Sequence, residues 1–292
     1  MTGLKSLLKS SMNLFKTHPL DILYINVIEQ NKGWGAETFI NKSFNSLGHS
    51  ITNIDFRKNR HSLASELLKV NKADILFLQR GDRFPKNLLK LCNRPKFFWA
   101  TELVSRNRDQ DPLLKSKIFN HIFVRSNKCK KSVIERNWVS SDQISIMLSG
   151  FDIELHKSEQ INKDIDILFV GSMLPRRESI IRELRSHFTI EVRNSFGREL
   201  VRLFNRAKII LNIHAEEFLD TETRIFEALG CGAFVISEKL SSENPFISGK
   251  HLIEANSINE MKTKIEYYLA NPNARDQIAK QGHSEAVNFH SY

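Results

Sequence analysis

Two charged side chains interrupt the stretch TRIFEALGCGAFVIS, which is otherwise composed of apolar and small residues. Arg224 and Glu227 are three positions apart, so a helix capped by Asp220 or Thr221 would place them on one face with Thr223. If that face met solvent, they would form an ordinary surface ion pair contributing about 0.3 kcal/mol. If it met a cleft, the arginine at the helix N-terminus could bind phosphate. The glutamate could then accept hydrogen bonds from ribose hydroxyls.

A second group of candidate residues follows the predicted strand IDILFV. Gly171 would permit close backbone approach, and Ser172 offers a hydroxyl. Arg176 and Arg177 could neutralise a diphosphate, or they could be exposed arginines on a simple strand-to-helix turn. His214 closes another predicted strand, KIILNIH, where a histidine is either a ligand contact or a structural residue with satisfied hydrogen bonds.

The N-terminal half contributes candidates of its own. Gly33 and Gly35 flank Trp34 in a loop after the first predicted strand and before a helix, a weak phosphate-binding pattern. Asp82 lies just beyond the third predicted strand, and Glu102 lies just beyond the fourth. Either carboxylate could deprotonate an acceptor hydroxyl, or it could be solvated or cap a helix.

Short apolar runs alternate with amphipathic stretches along the chain, which predicts the α/β class with doubly wound parallel sheets. The predicted strands of the first half are DILYINVI, SITNIDF, ADILFLQ, KFFWAT, HIFVRS and QISIML. The rhythm breaks at residues 152–164, a polar linker, and restarts with IDILFVGS, TIEV, KIILNIH and AFVIS. We therefore predict two Rossmann-like domains, 19–151 and 165–292, after an N-terminal segment at 1–18. Ligands bind beyond the carboxyl ends of such strands, so the site is expected in a central cleft that both domains face.

The composition is that of a soluble globular protein, with 43 Lys and Arg against 33 Asp and Glu. The net charge of +10 favours anionic partners. Cys92, Cys129 and Cys231 are widely separated, which predicts a reduced, cytoplasmic protein without disulfides. Neither a signal peptide nor a membrane span is expected. Leucines and lysines alternate in residues 1–18, so this segment is either a basic amphipathic helix at the inner face of an anionic membrane or a terminal helix that is frayed or packed on the core.

The acidic pairs do not predict a metal site. Asp164 and Asp166 border their strand at the edge opposite to the expected cleft, and Asp109 and Asp111 lie in a polar loop without supporting ligands. Arginines and a helix N-terminus could neutralise a departing diphosphate instead. The dispersed Lys and Arg, without a recognisable nucleic-acid-binding motif, disfavour nucleic acid as a partner.

Three stretches, TRIFEALGCGAFVIS, LFVGS with the basic residues after it, and the tail IEYYLANPNARDQIAKQGHSEAVNFHSY, carry a family resemblance. They resemble the C-terminal domain of family 1-like glycosyltransferases, especially the spore-maturation (CgeB-like) group. The resemblance is strong over about residues 165–292 and implies the GT-B fold, in which the second domain binds most of a nucleotide-sugar donor. Glu227 matches the family's ribose-binding carboxylate, Arg224 the arginine before it, and Gly171 and Ser172 the phosphate-side loop.

The resemblance further implies transfer of a sugar to an acceptor hydroxyl on a glycan, a lipid-linked molecule or a protein, in cell-surface or spore polysaccharide or glycoconjugate synthesis. No cofactor is implied besides the donor substrate. The loop with Gly33 and Gly35 resembles one that approaches the donor phosphates. One departure is Leu219, where many retaining relatives carry a glutamate, and it leaves the sugar contact and the stereochemistry open. The alternatives are a nucleotide-sugar epimerase of similar two-domain fold and a non-catalytic nucleic-acid-binding or scaffold protein.

Overall fold

The computed structural model describes residues 18–28, 33–58, 60–70, 72–104 and 109–292. Within these ranges, six parallel strands form an N-terminal sheet in the spatial order β2-β1-β3-β4-β5-β6. The strands are β1 (Asp21–Asn26), β2 (Ser50–Asp55), β3 (Ile75–Gln79), β4 (Lys96–Ala100), β5 (His121–Val124) and β6 (Ile144–Ile146). Each lies within one of the six apolar runs of the first half. The predicted amphipathic segment at residues 1–18 falls outside the described residues, apart from His18.

Helices connect these strands and cover both faces of the sheet, which is why the strands are continuous apolar runs rather than alternating ones. The helices are α1 (Ala36–Ser46), α2 (Leu63–Lys69), α3 (Asp111–Leu114) and α4 (Asn127–Glu135), with 3₁₀ turns at Lys86–Leu91 and Ser141–Gln143. Helix α4 begins after Ser126, whose Oγ accepts a hydrogen bond from the N–H of Cys129 at 3.1 Å. This cap starts the helix directly at the carboxyl end of β5.

A second parallel sheet is built from the C-terminal half, with strand order β11-β10-β9-β7-β8. Its strands are β7 (Ile165–Val170), β8 (Ile190–Arg193), β9 (Ala207–Asn212), β10 (Val235–Glu238) and β11 (Ile253–Ala255). Its helices are α5 (Pro175–Arg185), α6 (Gly197–Arg206), α7 (Thr223–Gly230), α8 (Ile258–Ala270) and α9 (Pro272–Phe289). Strand β11 was not predicted, because Leu252, Ile253 and Ala255, interrupted by Glu254, are too few to form a recognisable apolar run. The predicted α/β class with two parallel sheets is confirmed.

The two sheets are joined without regular structure between Asp152 and Asp164. Asp152 accepts hydrogen bonds from the backbone N–H groups of Glu154 and Leu155 and forms an ion pair with Lys42 of α1 at 3.1 Å. This connection is therefore held against the N-terminal domain.

The end of the chain returns from α9 to the N-terminal domain. The backbone N–H of Tyr292 donates to the carbonyl of Phe151 at 3.0 Å. Its ring lies beside Phe39 of α1 and Trp99 of β4, with centroid separations of 6.3 and 6.4 Å. Residues from both ends of the C-terminal half thus pack on the first domain, in addition to the contacts across the cleft.

Candidate functional site

A cleft of about 780 Å³ lies between the carboxyl ends of the two sheets. Its N-terminal wall includes Gly35 after β1 and Glu102 after β4, and its C-terminal wall includes Gly171 after β7 and Arg224 and Glu227 on α7. In each sheet the first strand is flanked by the next two strands of the chain, so the order in which strands are added reverses there. The switch lies between β1 and β3 in the first sheet and between β7 and β9 in the second. Such switch points leave a crevice between diverging loops. The structure therefore brings together five candidate residues, Gly35, Glu102, Gly171, Arg224 and Glu227.

Helix α7 presents Arg224 to the cleft because its opposite face is apolar. Ile225, Phe226, Ala228 and Leu229 are buried in the core of the second domain. The Nη1 atom of Arg224 donates to the Asn212 side chain at 3.3 Å, and the guanidinium lies 5.3 Å from the centre of the Phe169 ring. The arginine is thus fixed over the ends of β7 and β9.

Gly171 is required for this placement of the arginine. Its φ is +151°, and a Cβ at this position would lie 2.6 Å from Nη2 of Arg224. Any side chain would therefore displace the guanidinium. Ser172 follows in the cleft wall, where its carbonyl accepts a hydrogen bond from Nη1 of Arg177 at 3.3 Å.

Glu222 is a central residue of the site that sequence reasoning missed. Its carboxylate accepts two hydrogen bonds from Nη2 of Arg177, at 3.0 and 3.1 Å, and one from Nη1 of Arg224 at 3.1 Å. Nδ1 of His214 lies 3.6 Å from it. Burial acts to raise the pKa of Glu222, but the contacts with His214, Arg224 and Arg177 outweigh it and lower this pKa to about 2. An ionised carboxylate therefore holds both arginines in place.

The sequence pattern at the start of α7 predicted helix caps at Asp220 or Thr221 and gave no indication that Glu222 binds the two arginines. Glu222 is the extended residue that precedes the helix, with φ −66° and ψ 148°, and it makes no side-chain capping bond. The predicted capping of the helix by Asp220 or Thr221 is therefore wrong. Asp220 pairs with Arg125, and the Thr221 hydroxyl bonds that of Ser241 at 2.9 Å. An acidic residue two positions before Arg224 was the available signal, but that spacing does not share a helix face.

Glu227 lies one turn deeper in the cleft than Arg224. Burial raises its pKa to about 7, although Arg224 acts in the opposite direction. Nε2 of the buried His156 lies 3.7 Å from Oε1 of Glu227. Nδ1 of His156 bonds the Asp152 carbonyl at 3.1 Å, so it carries the proton in the neutral ring and Nε2 faces the carboxyl as an acceptor. This geometry allows Glu227 to hold a proton when no ligand is bound.

Thr223 joins the two domains beside this site. Its Oγ1 donates to Oγ of Ser149 at 3.0 Å, and Thr223 also lines the cleft. Its hydroxyl is therefore engaged with the N-terminal domain rather than unbonded in the cleft.

Arg176 and His214 lie on the wall of a neighbouring hollow instead of the cleft. Arg176 donates to Glu238 at 2.8 Å and to the carbonyl of His214 at 3.0 Å. The Nε2 atom of His214 bonds the Lys239 carbonyl at 2.8 Å. Successive residues of a helix point about 100° apart, so Arg176 and Arg177 cannot both face the cleft. The structure thus separates the two arginines and makes His214 a buried partner of Glu222.

Two N-terminal candidates also lie away from the cleft wall. Asp82 forms an ion pair with Arg57, so its carboxylate is engaged outside the cleft. Gly33 is exposed, with a φ of +79°, and only Gly35 of the predicted pair of glycines lines the cleft. Glu102 lines the cleft as predicted and is half-buried.

The N-terminal wall also contains an ion pair that the sequence did not indicate. Glu37, in the first turn of α1, is 1% exposed, and its Oε1 accepts a hydrogen bond from Nε of Arg80 at 3.0 Å. Both residues line the cleft. The buried carboxylate thus holds an arginine at the end of β3.

The described residues contain no group of three or more His, Cys, Asp or Glu side chains arranged to hold a metal ion. Asp164 and Asp166 pair with Arg206 and Lys208, and Asp109 pairs with Arg83. No helix in the described ranges is long and apolar enough to cross a membrane.

Solved structures with the same arrangement of two domains are glycosyltransferases of the GT-B fold. One is HepE of Anabaena in complex with UDP-glucose, 10% identical, with a TM-score of 0.62 over 93% of this chain and 96% of that chain. Another is sucrose-phosphate synthase of Thermosynechococcus elongatus, 13% identical, with a TM-score of 0.67 over 93% of this chain and 95% of the other. At these identities the likeness establishes the fold.

A family match comes from the sequence of the second domain. Residues 155–292 match the family model described as "Glycosyl transferase-like". A protein of Acanthamoeba polyphaga mimivirus, "Uncharacterized protein R358", is 33% identical over 94 residues, which is 32% of this chain and 31% of that protein. The chain thus spans about a third of that relative's length. The predicted GT-B fold is confirmed, and the match over residues 155–292 supports the predicted glycosyltransferase class.

Proposed function

We propose that this protein transfers a sugar from a nucleotide-sugar donor to an acceptor hydroxyl. The observation that carries the proposal is the position of Arg224 and Glu227, one turn apart on α7 and both facing the cleft beside Gly171. The similar HepE structures contain UDP-glucose or UDP, which makes a UDP-sugar the first donor to test. The diphosphate would lie against Arg224 and the Gly171–Ser172 loop, and Glu227 would accept hydrogen bonds from the ribose.

Arg224 has the donors needed for the chemical step. Its Nη1 is engaged with Asn212 and Glu222, while Nη2 lies against the Gly171 backbone at the cleft. When the bond between the sugar and the diphosphate breaks, the diphosphate leaves with the electron pair, and this guanidinium stabilises the added negative charge. Glu102, from the opposite wall, takes the proton of the attacking acceptor hydroxyl.

Metal independence is part of the same proposal. Arg177 and Arg224 supply fixed positive charge, and helix α5 adds an N-terminus whose residue Leu174 makes no side-chain capping bond. Backbone N–H groups at such a terminus attract anions. Together these groups can neutralise a leaving diphosphate without a divalent cation.

The acceptor is proposed to be a glycan, a lipid-linked molecule or a protein that lies near an anionic surface. Residues 1–151 contain 25 of the 43 Lys and Arg but only 12 of the 33 Asp and Glu. The donor-binding half thus has no excess of positive charge, and the acceptor-binding half has all of it. This asymmetry favours an anionic acceptor or carrier on that side. The proposed role in cell-surface or spore polysaccharide synthesis is based on the resemblance to the spore-maturation group. The proposed cytoplasmic position at the inner membrane face is based on the widely separated cysteines and the basic N-terminal segment.

A screen of nucleotide-sugars for hydrolysis and transfer tests the proposal. With an active donor, Arg224→Ala should lower turnover by about 10²–10³-fold, because the charge on the leaving diphosphate loses its stabilising donor. Arg176→Ala is the matched control, since this neighbouring arginine lies outside the cleft, and it should retain turnover. Equal turnover of wild type and Arg224→Ala would refute the role of Arg224. Reversible conversion of the free donor without transfer would instead indicate an epimerase.

A further inference from the structure

Residues 215–222, in the loop between β9 and α7, are held by the opposite domain. We propose that Arg125, at the carboxyl end of β5, is a positioning residue that fixes this loop and, through it, the arginines of the donor site. The proposal rests on the proposed function for its nucleotide-binding consequence, whereas the ordering of the loop is independent of it.

Arg125 reaches across the cleft. Its Nη2 donates to Oδ2 of Asp220 at 3.0 Å and to the carbonyl of Thr221 at 3.4 Å, while Nη1 donates to the carbonyl of Thr101 in its own domain at 3.3 Å. The side chains of Arg125 and Asp220 are only 16% and 13% exposed. Water screens such a pair poorly, so its loss leaves a charge that is both buried and unpaired.

The residues after Arg125 hold the same region from a second side. Nζ of Lys128 lies 4.5 Å from the centre of the Phe218 ring, and Phe218 packs against the core of the N-terminal domain. The backbone N–H of Asn127 donates to Glu243 of the second domain at 2.9 Å. The loop is therefore held by the N-terminal domain through an ion pair, a cation–π contact and apolar packing.

The held loop leads directly to the donor-site arginines. Two residues after Asp220 comes Glu222, whose carboxylate bonds both Arg177 and Arg224. If Asp220 is released, the backbone that carries Glu222 loses one of its attachments to the first domain, while Phe218 and Thr223 keep theirs. The Glu222 carboxylate can then move, and Arg224 loses the partner that sets its direction. Arg125 also lines the cleft, but its guanidinium is engaged with Asp220, Thr221 and Thr101, so its effect on the donor site runs through the loop.

UDP binding measured by calorimetry tests this positioning role. Arg125→Gln and Asp220→Asn should each weaken UDP binding on the order of tenfold, because either change removes the charge pair that fixes the loop. Arg136→Gln is the matched control and should bind UDP like wild type. Arg136 follows the C-terminal end of α4 and stacks on Trp138. Thermal unfolding of each variant separates lost binding from lost folding.

A double-mutant cycle distinguishes positioning from a general structural effect. In an Arg224→Ala background, Arg125→Gln should cause a smaller loss of UDP affinity than it does in wild type, because one of the two arginines through which it acts is absent. Independent, additive losses would overturn the proposed route through Glu222 and Arg224. Unchanged UDP binding by both Arg125→Gln and Asp220→Asn would overturn the inference as a whole.

Hydrogen exchange of the unliganded protein separates this inference from the proposed function. Amides of residues 215–222 should exchange faster in Asp220→Asn than in wild type, whatever the ligand. If wild type binds no nucleoside diphosphate but the loop exchanges faster in Asp220→Asn, the proposed function fails and the positioning of the loop stands. If exchange is unchanged, the positioning fails, whether or not UDP binds.

Discussion

The protonation of Glu227 connects the site to pH. Its pKa in the folded protein is about 7 because of burial, against an ordinary value of 4.5. Between these values the folded chain holds a proton that the unfolded chain releases. The resulting contribution to stability is fully present below about pH 4.5 and is lost as the pH rises through 7. To accept hydrogen bonds from both ribose hydroxyls, Glu227 must instead be ionised.

We therefore predict that affinity for UDP-glucose rises with pH. Between about pH 6 and pH 8 the gain should approach tenfold, because the ionised form of Glu227 becomes the main one. UDP-glucose is the suitable ligand, since its diphosphate has no proton that titrates in this range. Calorimetry at several pH values measures the effect.

Glu227→Gln is the control for the pH dependence. It should weaken binding at the higher pH by about 1–3 kcal/mol and flatten the dependence on pH. A variant that retains the slope would show that another group titrates, and Glu227 would then have no part in the pH effect.

Helix α7 owes its position to α9, which packs on its buried side. Nδ1 of His283 bonds the carbonyl of Leu229 at 3.0 Å, and Gly282 lies against the same leucine. A Cβ on Gly282 would lie 2.2 Å from the carbonyl oxygen of His251 and 2.9 Å from Cδ2 of Leu229. A glycine inside a helix normally costs stability, so this one is retained because it allows the backbones to approach.

Gly282→Ala should therefore destabilise the protein, against the usual preference of helices for alanine. We expect a loss of about 1–3 kcal/mol from overpacking, measured by denaturant unfolding. Ser284→Ala, two residues further along α9 at an exposed position, is the control and should be neutral or slightly stabilising. A stabilising Gly282→Ala would mean that α9 can move away from His251 without cost.

The distribution of charge is a property of the whole molecule. The excess of Lys and Arg lies entirely in residues 1–151, which include the N-terminal segment with Lys5, Lys9 and Lys16. Each such lysine near an anionic membrane contributes about 1 kcal/mol of attraction, and the attraction is screened by salt. The proposed contact with an anionic membrane depends on this asymmetry.

Vesicle co-sedimentation examines that contact. The protein should bind vesicles that contain anionic lipid, should bind neutral vesicles much less, and should be released as salt is raised. Deletion of residues 1–17 should weaken the binding, since it removes three lysines and the leucines between them. If deletion leaves co-sedimentation unchanged, the N-terminal segment is not the membrane contact.

Local sequence patterns determined the two-sheet fold and the main pair of site residues. Apolar runs mark buried strands because parallel sheets are covered on both faces, and ten of the eleven described strands could be predicted in this way. The spacing of Arg224 and Glu227 predicted a shared face because the period of a helix is a local property. Gly171 was expected to permit close approach, and it does so against Arg224.

Tertiary structure alone decided which charges meet. Arg125 and Asp220 are 95 residues apart in the chain, and no local period relates them. Arg176 and Arg177 are adjacent and have the same side chain, so the sequence does not indicate which acidic residue each one pairs with. Only the packing of the fold pairs Arg177 with Glu222 and Arg176 with Glu238. Asp82 looked like a candidate base until Arg57 from a different loop paired with it. Charge pairing depends on distances set by the whole fold, whereas strand and helix patterns depend on neighbours in the chain.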